Sequence, residues 1–76
     1  MKRTVYYWLE TDVSDGCNYW DWALVRGMYD IDGEKDKSTE KRIVYGTCEG
    51  EISDCWNTID SVIRGVLGFV PDYEVN

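Results

Sequence analysis

The chain of 76 residues contains no histidine. That removes the commonest general base, the usual activator of a serine or cysteine nucleophile and the commonest metal ligand together, and with them most familiar active sites. No stretch approaches the roughly 18 apolar residues of a membrane-spanning helix. The apolar run behind Lys2-Arg3 ends at Leu9, too short for a signal-peptide core, and carries no small-residue cleavage site. Cysteine is limited to Cys17, Cys48 and Cys55, an odd number with no C-x-x-C pair. This argues against a structural zinc site and a secreted disulfide framework, and the three are read as reduced thiols of a cytoplasmic protein. A bridge between two of them needs an oxidising compartment, for which there is no signal. Bases are scarce as well: 8 against 15 acids give a net charge of −7, which argues against direct binding of nucleic acid or an anionic membrane and favours a basic partner.

Other chemistry fails on spacing. Gly65-Val66-Leu67-Gly68 has no following Lys-Ser or Lys-Thr and is not a phosphate loop. Asp30-Ile31-Asp32-Gly33 resembles part of a calcium loop, but with Gly33 sixth the first and twelfth positions are Met28 and Thr39, neither a carboxylate. Carboxylate pairs leave acid–base hydrolysis as the one enzymatic option, yet a chain this short has little room for a cleft that desolvates one of them. The expectation is no enzymatic activity, no cofactor and no metal.

What the chain does have is apolar and aromatic mass, 43% hydrophobic with four Trp and six Tyr, enough to fold as a single small domain over residues 1–76. Residues 3–11 read as a strand in which Val5, Tyr7 and Leu9 alternate with Tyr6, Trp8 and Glu10. Residues 12–18 carry loop chemistry. Residues 19–31 fit neither period cleanly; a strand is favoured over a short helix by aromatic and β-branched content and by Gly27, which suits a bulge. Residues 30–41 are nearly all polar and read as a solvated loop turning at Asp32-Gly33, followed by a strand over 42–49. Then Ile52, Trp56, Ile59, Ile63, Val66, Leu67 and Val70 recur at intervals of three and four. That spacing predicts a helix over 54–67, capped by Ser53 and stopped by Gly68 and Pro71, with Trp56, Ile59 and Ile63 in the core. The order β-β-β-α implies an α+β fold: a three-stranded antiparallel sheet with one C-terminal helix on one face. The tail, 69–76, either adds a short edge strand or covers the sheet.

Charge is unevenly placed. Residues 4–25 carry four acids and no base, 26–42 are balanced, and 43–76 carry six acids against Arg64. If Val5, Tyr7 and Leu9 face the helix, Tyr6, Trp8 and Glu10 face away, with Asp12 about 7 Å beyond Glu10 on the same side. With Trp20, Trp22, Leu24 and Met28 assigned to the core, Tyr19, Asp21, Val25 and Tyr29 join the outer face. Aromatic anchors ringed by charge are what energetic centres of protein interfaces look like. The candidate partner-binding residues are therefore Tyr6, Trp8, Glu10, Asp12, Asp15, Tyr19, Asp21, Glu49, Glu51 and Asp54. The alternative is that this face is buried by the tail or by a second copy in a homodimer.

Two resemblances bear on function. A short acidic chain with the clusters Glu10-Asp12-Asp15 and Glu49-Glu51-Asp54 resembles the small inhibitors that bacteriophages encode against host defences, anti-CRISPR proteins and DNA mimics among them. The resemblance implies a protein acting in the host cytoplasm that occupies a basic nucleic-acid channel with carboxylates where phosphates lie. The path from Thr4 to Leu67, with a helix opening at Gly50-Glu51-Ile52-Ser53, is similar to the antitoxin domain of the HicB family, departing from it by lacking a Glu-Ala pair in the first helical turns and by the charged insertion over 34–41. The expected function is an acidic binder that blocks a basic nucleic-acid-handling protein, with an antitoxin or a structural assembly protein as the alternative.

Overall fold

The computed structural model describes residues 4–13 and 19–75, apart from the side chains of Val13 and Ile52. Its elements are β1 (Val5–Val13), β2 (Tyr19–Tyr29), β3 (Lys35–Glu49), α1 (Ile52–Leu67) and β4 (Glu74–Val75). The sheet order is β3-β2-β1-β4. The first three strands are antiparallel neighbours, as their hairpin connections require. β4 instead pairs parallel to β1, Trp8 opposite Glu74 and Leu9 opposite Val75, because α1 carries the chain back over the sheet before the tail rejoins it. The α+β class and the edge-strand option for the tail hold; the sheet is four-stranded and mixed, where three antiparallel strands were expected.

Residues 19–31 resolve in favour of a strand ending at Tyr29. The larger departure is the stretch expected to be a solvated loop: β3 begins at Lys35, seven residues earlier than the sequence implies. Its polar character is that of an edge strand, where charged side chains are tolerated on both faces. The turn falls where Asp32-Gly33 placed it. The Asp30 carboxylate accepts from the Asp32 and Glu34 amides at 2.9 and 3.0 Å, and the Gly33 amide donates to the Asp30 carbonyl at 3.0 Å.

The register slips twice between β2 and β3. Ile43 is the extra residue between Val44, opposite Leu24, and Arg42, opposite Val25. Further along, Arg26 pairs with Lys41 but Met28 with Asp36, so a single residue, Gly27, faces four on β3. Those four are tied back locally. The Ser38 hydroxyl donates to Asp36 Oδ1 at 2.6 Å, the Thr39 hydroxyl donates to the Asp36 carbonyl at 2.6 Å, and Thr39 Oγ1 accepts from the Met28 amide at 2.8 Å. The expectation of a bulge at Gly27 holds. The site also needs glycine for a steric reason: a Cβ there would overlap the Tyr6 ring at Cζ and Oη.

On the helix side Leu9, Leu24 and Val44 sit in one row across the three strands, and with Trp22 they meet Cys55, Ile59 and Ile63 of α1. Ile59 and Ile63 are fully buried, whereas Trp56 is half-buried at the margin. Val66, expected on the apolar face, is exposed. The helix starts two residues before its predicted first turn. Its N-cap is Glu51, which makes no side-chain capping bond, so Ser53 lies inside the helix. Gly68 closes the other end as expected, in the left-handed conformation with its amide on the Arg64 carbonyl at 2.8 Å. The start is secured covalently: Cys48, at the end of β3, is joined to Cys55 by a disulfide spanning 6.0 Å between Cα atoms. This corrects the reading of three reduced thiols. Strand end and helix start face each other across a turn too short to carry them apart, a proximity invisible in an odd cysteine count. Cys17 lies outside the described residues.

Candidate binding face

The face of the sheet turned away from α1 is built from the other half of each strand. Strand alternation and register set its rows: Tyr6 with Gly27, Trp8 with Val25 and Arg42, Glu10 with Ala23 and Tyr45, Asp12 with Asp21 and Thr47, then Tyr19 with Glu49. The described tail residues meet it at the β1 edge, where Glu74 lies beside Trp8 and its Oε2 accepts from Lys35 Nζ at 3.4 Å. Tyr73 packs on the helix side, where its hydroxyl donates to Asp60 Oδ1 at 2.8 Å.

The two halves of this face differ. Near the start of β1, Tyr6 is only 6% exposed, its ring against Gly27 and 5.0 Å from that of Tyr29, with Lys35 Nζ 5.2 Å from its centre. The bulge of β3 brings Glu40 over the strands, and its Oε2 accepts from the Tyr6 hydroxyl at 2.7 Å and the Trp8 indole N–H at 3.3 Å. Burial, and then the Glu40 carboxylate, push the Tyr6 phenol up to about 12. Burial and Asp60 do the same to Tyr73, also to about 12. Arg42 reaches across β2 to Glu10, Nε to Oε2 at 2.8 Å and Nη2 to Oε1 at 3.1 Å. Its guanidinium holds the Glu10 carboxyl below the usual range. Under these contacts Ala23 and Val25 are buried although they face away from the helix.

The far half is open. Asp12 and Asp21 stand directly opposite each other and both are exposed. No side chain among the described residues bonds to either. Tyr45, 76% exposed, and Tyr19, 45% exposed, stand in the flanking rows. With Glu10, Ala23, Arg42, Tyr45 and Thr47 the two aspartates line a shallow depression of about 370 Å³.

The sequence-derived site is thus divided. Glu10, Asp12, Asp21 and Trp8 share the outer face, and Tyr19 and Glu49 extend it at one end. Tyr6 is a correction: buried under its own neighbours and bonded to Glu40, it presents no anchor to a partner. Glu10 is already paired to Arg42. Glu51 and Asp54 belong to the helix layer, as N-cap and first turn, away from the sheet face. Asp15 lies outside the described residues. Sequence reasoning missed Tyr45 and Thr47; the strict alternation Tyr45, Thr47, Glu49 after the bulge was the signal, obscured because the bulge at Ile43 shifts the phase. Comparison with protein-family models, with curated proteins and with solved structures finds no match.

Proposed function

We propose that this chain is a non-enzymatic binding protein whose acidic outer sheet face docks on a basic protein surface and blocks it, the carboxylates taking the place of nucleic-acid phosphates. The observation that carries the reading is the opposed, exposed pair Asp12 and Asp21, flanked by Tyr45 and Tyr19. Like charges facing each other across strands cost stability in the free protein. A guanidinium or ammonium group between them relieves that repulsion, and the tyrosines supply area at low entropic cost. A net charge of −7 steers such a partner from a distance. Glu10 contributes less than its sequence position implies, because binding through it competes with Arg42.

This reading needs no cofactor. The test is capture of a partner on the wild-type chain and on the Asp12→Asn/Asp21→Asn variant at two salt concentrations, followed by challenge with duplex DNA or RNA. Capture that the double variant loses, that weakens with salt and that nucleic acid reverses is the expected result. Capture indifferent to all three would overturn the proposal.

A further inference from the structure

The Cys48–Cys55 bond is placed to do more than add stability. It ties the last residues of β3 to the first turn of α1, at a helix start whose N-cap, Glu51, makes no side-chain capping bond. Among the described side chains of that first turn, Ser53 and Asp54 are exposed and Cys55, 2% exposed, is buried; Trp56 packs at the margin of the core, and Ile59 and Ile63 lie further along. Apart from the bond, the turn is held by the Trp20 indole N–H, which donates to the Gly50 carbonyl at 2.7 Å, and by the Asp54 amide on the Glu51 carbonyl at 2.9 Å. The two sulfurs are unequal in setting. Cys48 is half-buried on an edge strand and within reach of an external thiol, while Cys55 lies in the core, shielded from attack, with the helix N-terminus offsetting part of the cost of a buried thiolate.

We propose that this disulfide is a redox-operated clasp on the start of α1. An external thiolate attacks Cys48 Sγ, the more accessible of the two, the S–S bond breaks, and its electron pair leaves on Cys55 Sγ, which takes up a proton as the turn opens. A second thiolate, or the second arm of a dithiol, attacks the external sulfur of the mixed disulfide and frees Cys48. Two protein thiols form as one disulfide of the reductant forms, and the reverse exchange with a disulfide oxidant closes the clasp. Opening releases the first turns of α1 and the acidic turn Glu49 to Asp54, while the sheet, whose hydrogen bonds do not depend on the clasp, persists. Glu49, Glu51 and Asp54 flank the bond in the chain, so neutral dithiols open it faster than anionic glutathione. The protein is thus clasped in an oxidising compartment and unclasped in a reducing one.

The experiment uses the full chain carrying Cys17→Ser, so that only Cys48 and Cys55 are counted. Alkylation of the unfolded, unreduced protein should find no free thiol, and dithiothreitol should release both. Limiting glutathione followed by acid quench should place the mixed disulfide on Cys48 by peptide mass. On reduction, hydrogen exchange should quicken by about tenfold or more in the first two turns of α1, with β1 and β2 amides little changed, as a local opening demands. Free thiols before reduction, a mixed disulfide on Cys55, or exchange that rises equally through the sheet or not at all would each overturn the proposal. Should Cys17→Ser fail to fold, the same peptide mapping on the wild-type chain distinguishes Cys17 by its own peptide. No readout involves a binding partner, so the outcome is separate from that for the outer face.

Discussion

At Gly27 a single added carbon tests the packing of the outer face. An alanine Cβ would collide with the edge of the Tyr6 ring, which the strand pairing holds directly above. Gly27→Ala should lower stability by about 1–3 kcal/mol, read from the urea midpoint, because either the ring or the bulge must move. Tyr6→Phe removes one of the two donors to Glu40 and should cost about 1 kcal/mol. The same phenol sets an alkaline limit. Tyr6 and Tyr73 ionise near the ordinary 10 when unfolded and only at about 12 when folded, so the unfolded chain loses its protons first as pH rises. The stability tied to these two groups is complete below about pH 10 and is lost progressively toward pH 12. Urea titrations across that window should show a falling midpoint, and Tyr6→Phe/Tyr73→Phe should flatten the fall.

Among the elements, α1 depends on two buried side chains. Ile59→Ala and Ile63→Ala should each cost about 2–5 kcal/mol, whereas Val66→Ala, at an exposed position, should change thermal stability by no more than about 0.5 kcal/mol. Equal effects at all three positions would mean that a different helix face meets the sheet. Across the strands, the Arg42–Glu10 pair spans β2. Glu10 has a folded-state pKa below its ordinary 4.5, so its contribution is present above that value and is lost as pH falls through the lower folded value. Both side chains are more than a third exposed, so solvent screens the pair and keeps its contribution small. Glu10→Gln should therefore lower stability slightly at neutral pH and leave it unchanged in strong acid, as denaturant unfolding at the two pH values would show.

For the molecule as a whole, the prediction concerns charge and contact area separately. Asp12→Asn/Asp21→Asn should leave the unfolding free energy within about 1 kcal/mol, or raise it, since exposed like charges repel. Against the captured partner the same variant should slow association, and wild-type binding should weaken as salt rises from about 50 to 200 mM. Tyr45→Ala and Tyr19→Ala should instead speed dissociation, because aromatic contacts act after encounter. Surface-immobilised kinetics at both salt concentrations would separate these effects. Salt-independent binding that survives the aspartate variant would point to an ordinary apolar interface.

Local rules were enough for much of this fold. The alternation of Val5, Tyr7 and Leu9 against Tyr6, Trp8 and Glu10, the turn at Asp32-Gly33, the helical spacing of Ile59 and Ile63 and the stop at Gly68 all involve residues that interact within a few positions of each other. Their physics is therefore written in short windows of sequence. What needed the tertiary structure were the facts that join distant positions. A polar stretch became the first half of β3 because β2 offered it a hydrogen-bonding edge. Tyr6 went from exposed anchor to buried donor because a bulge carried Glu40 above it. Glu10 lost its freedom to Arg42, 32 residues away. Cys48 and Cys55 met because strand end and helix start were folded together. Spacing along the chain determines which face a side chain takes, and only the closed fold decides what else arrives on that face.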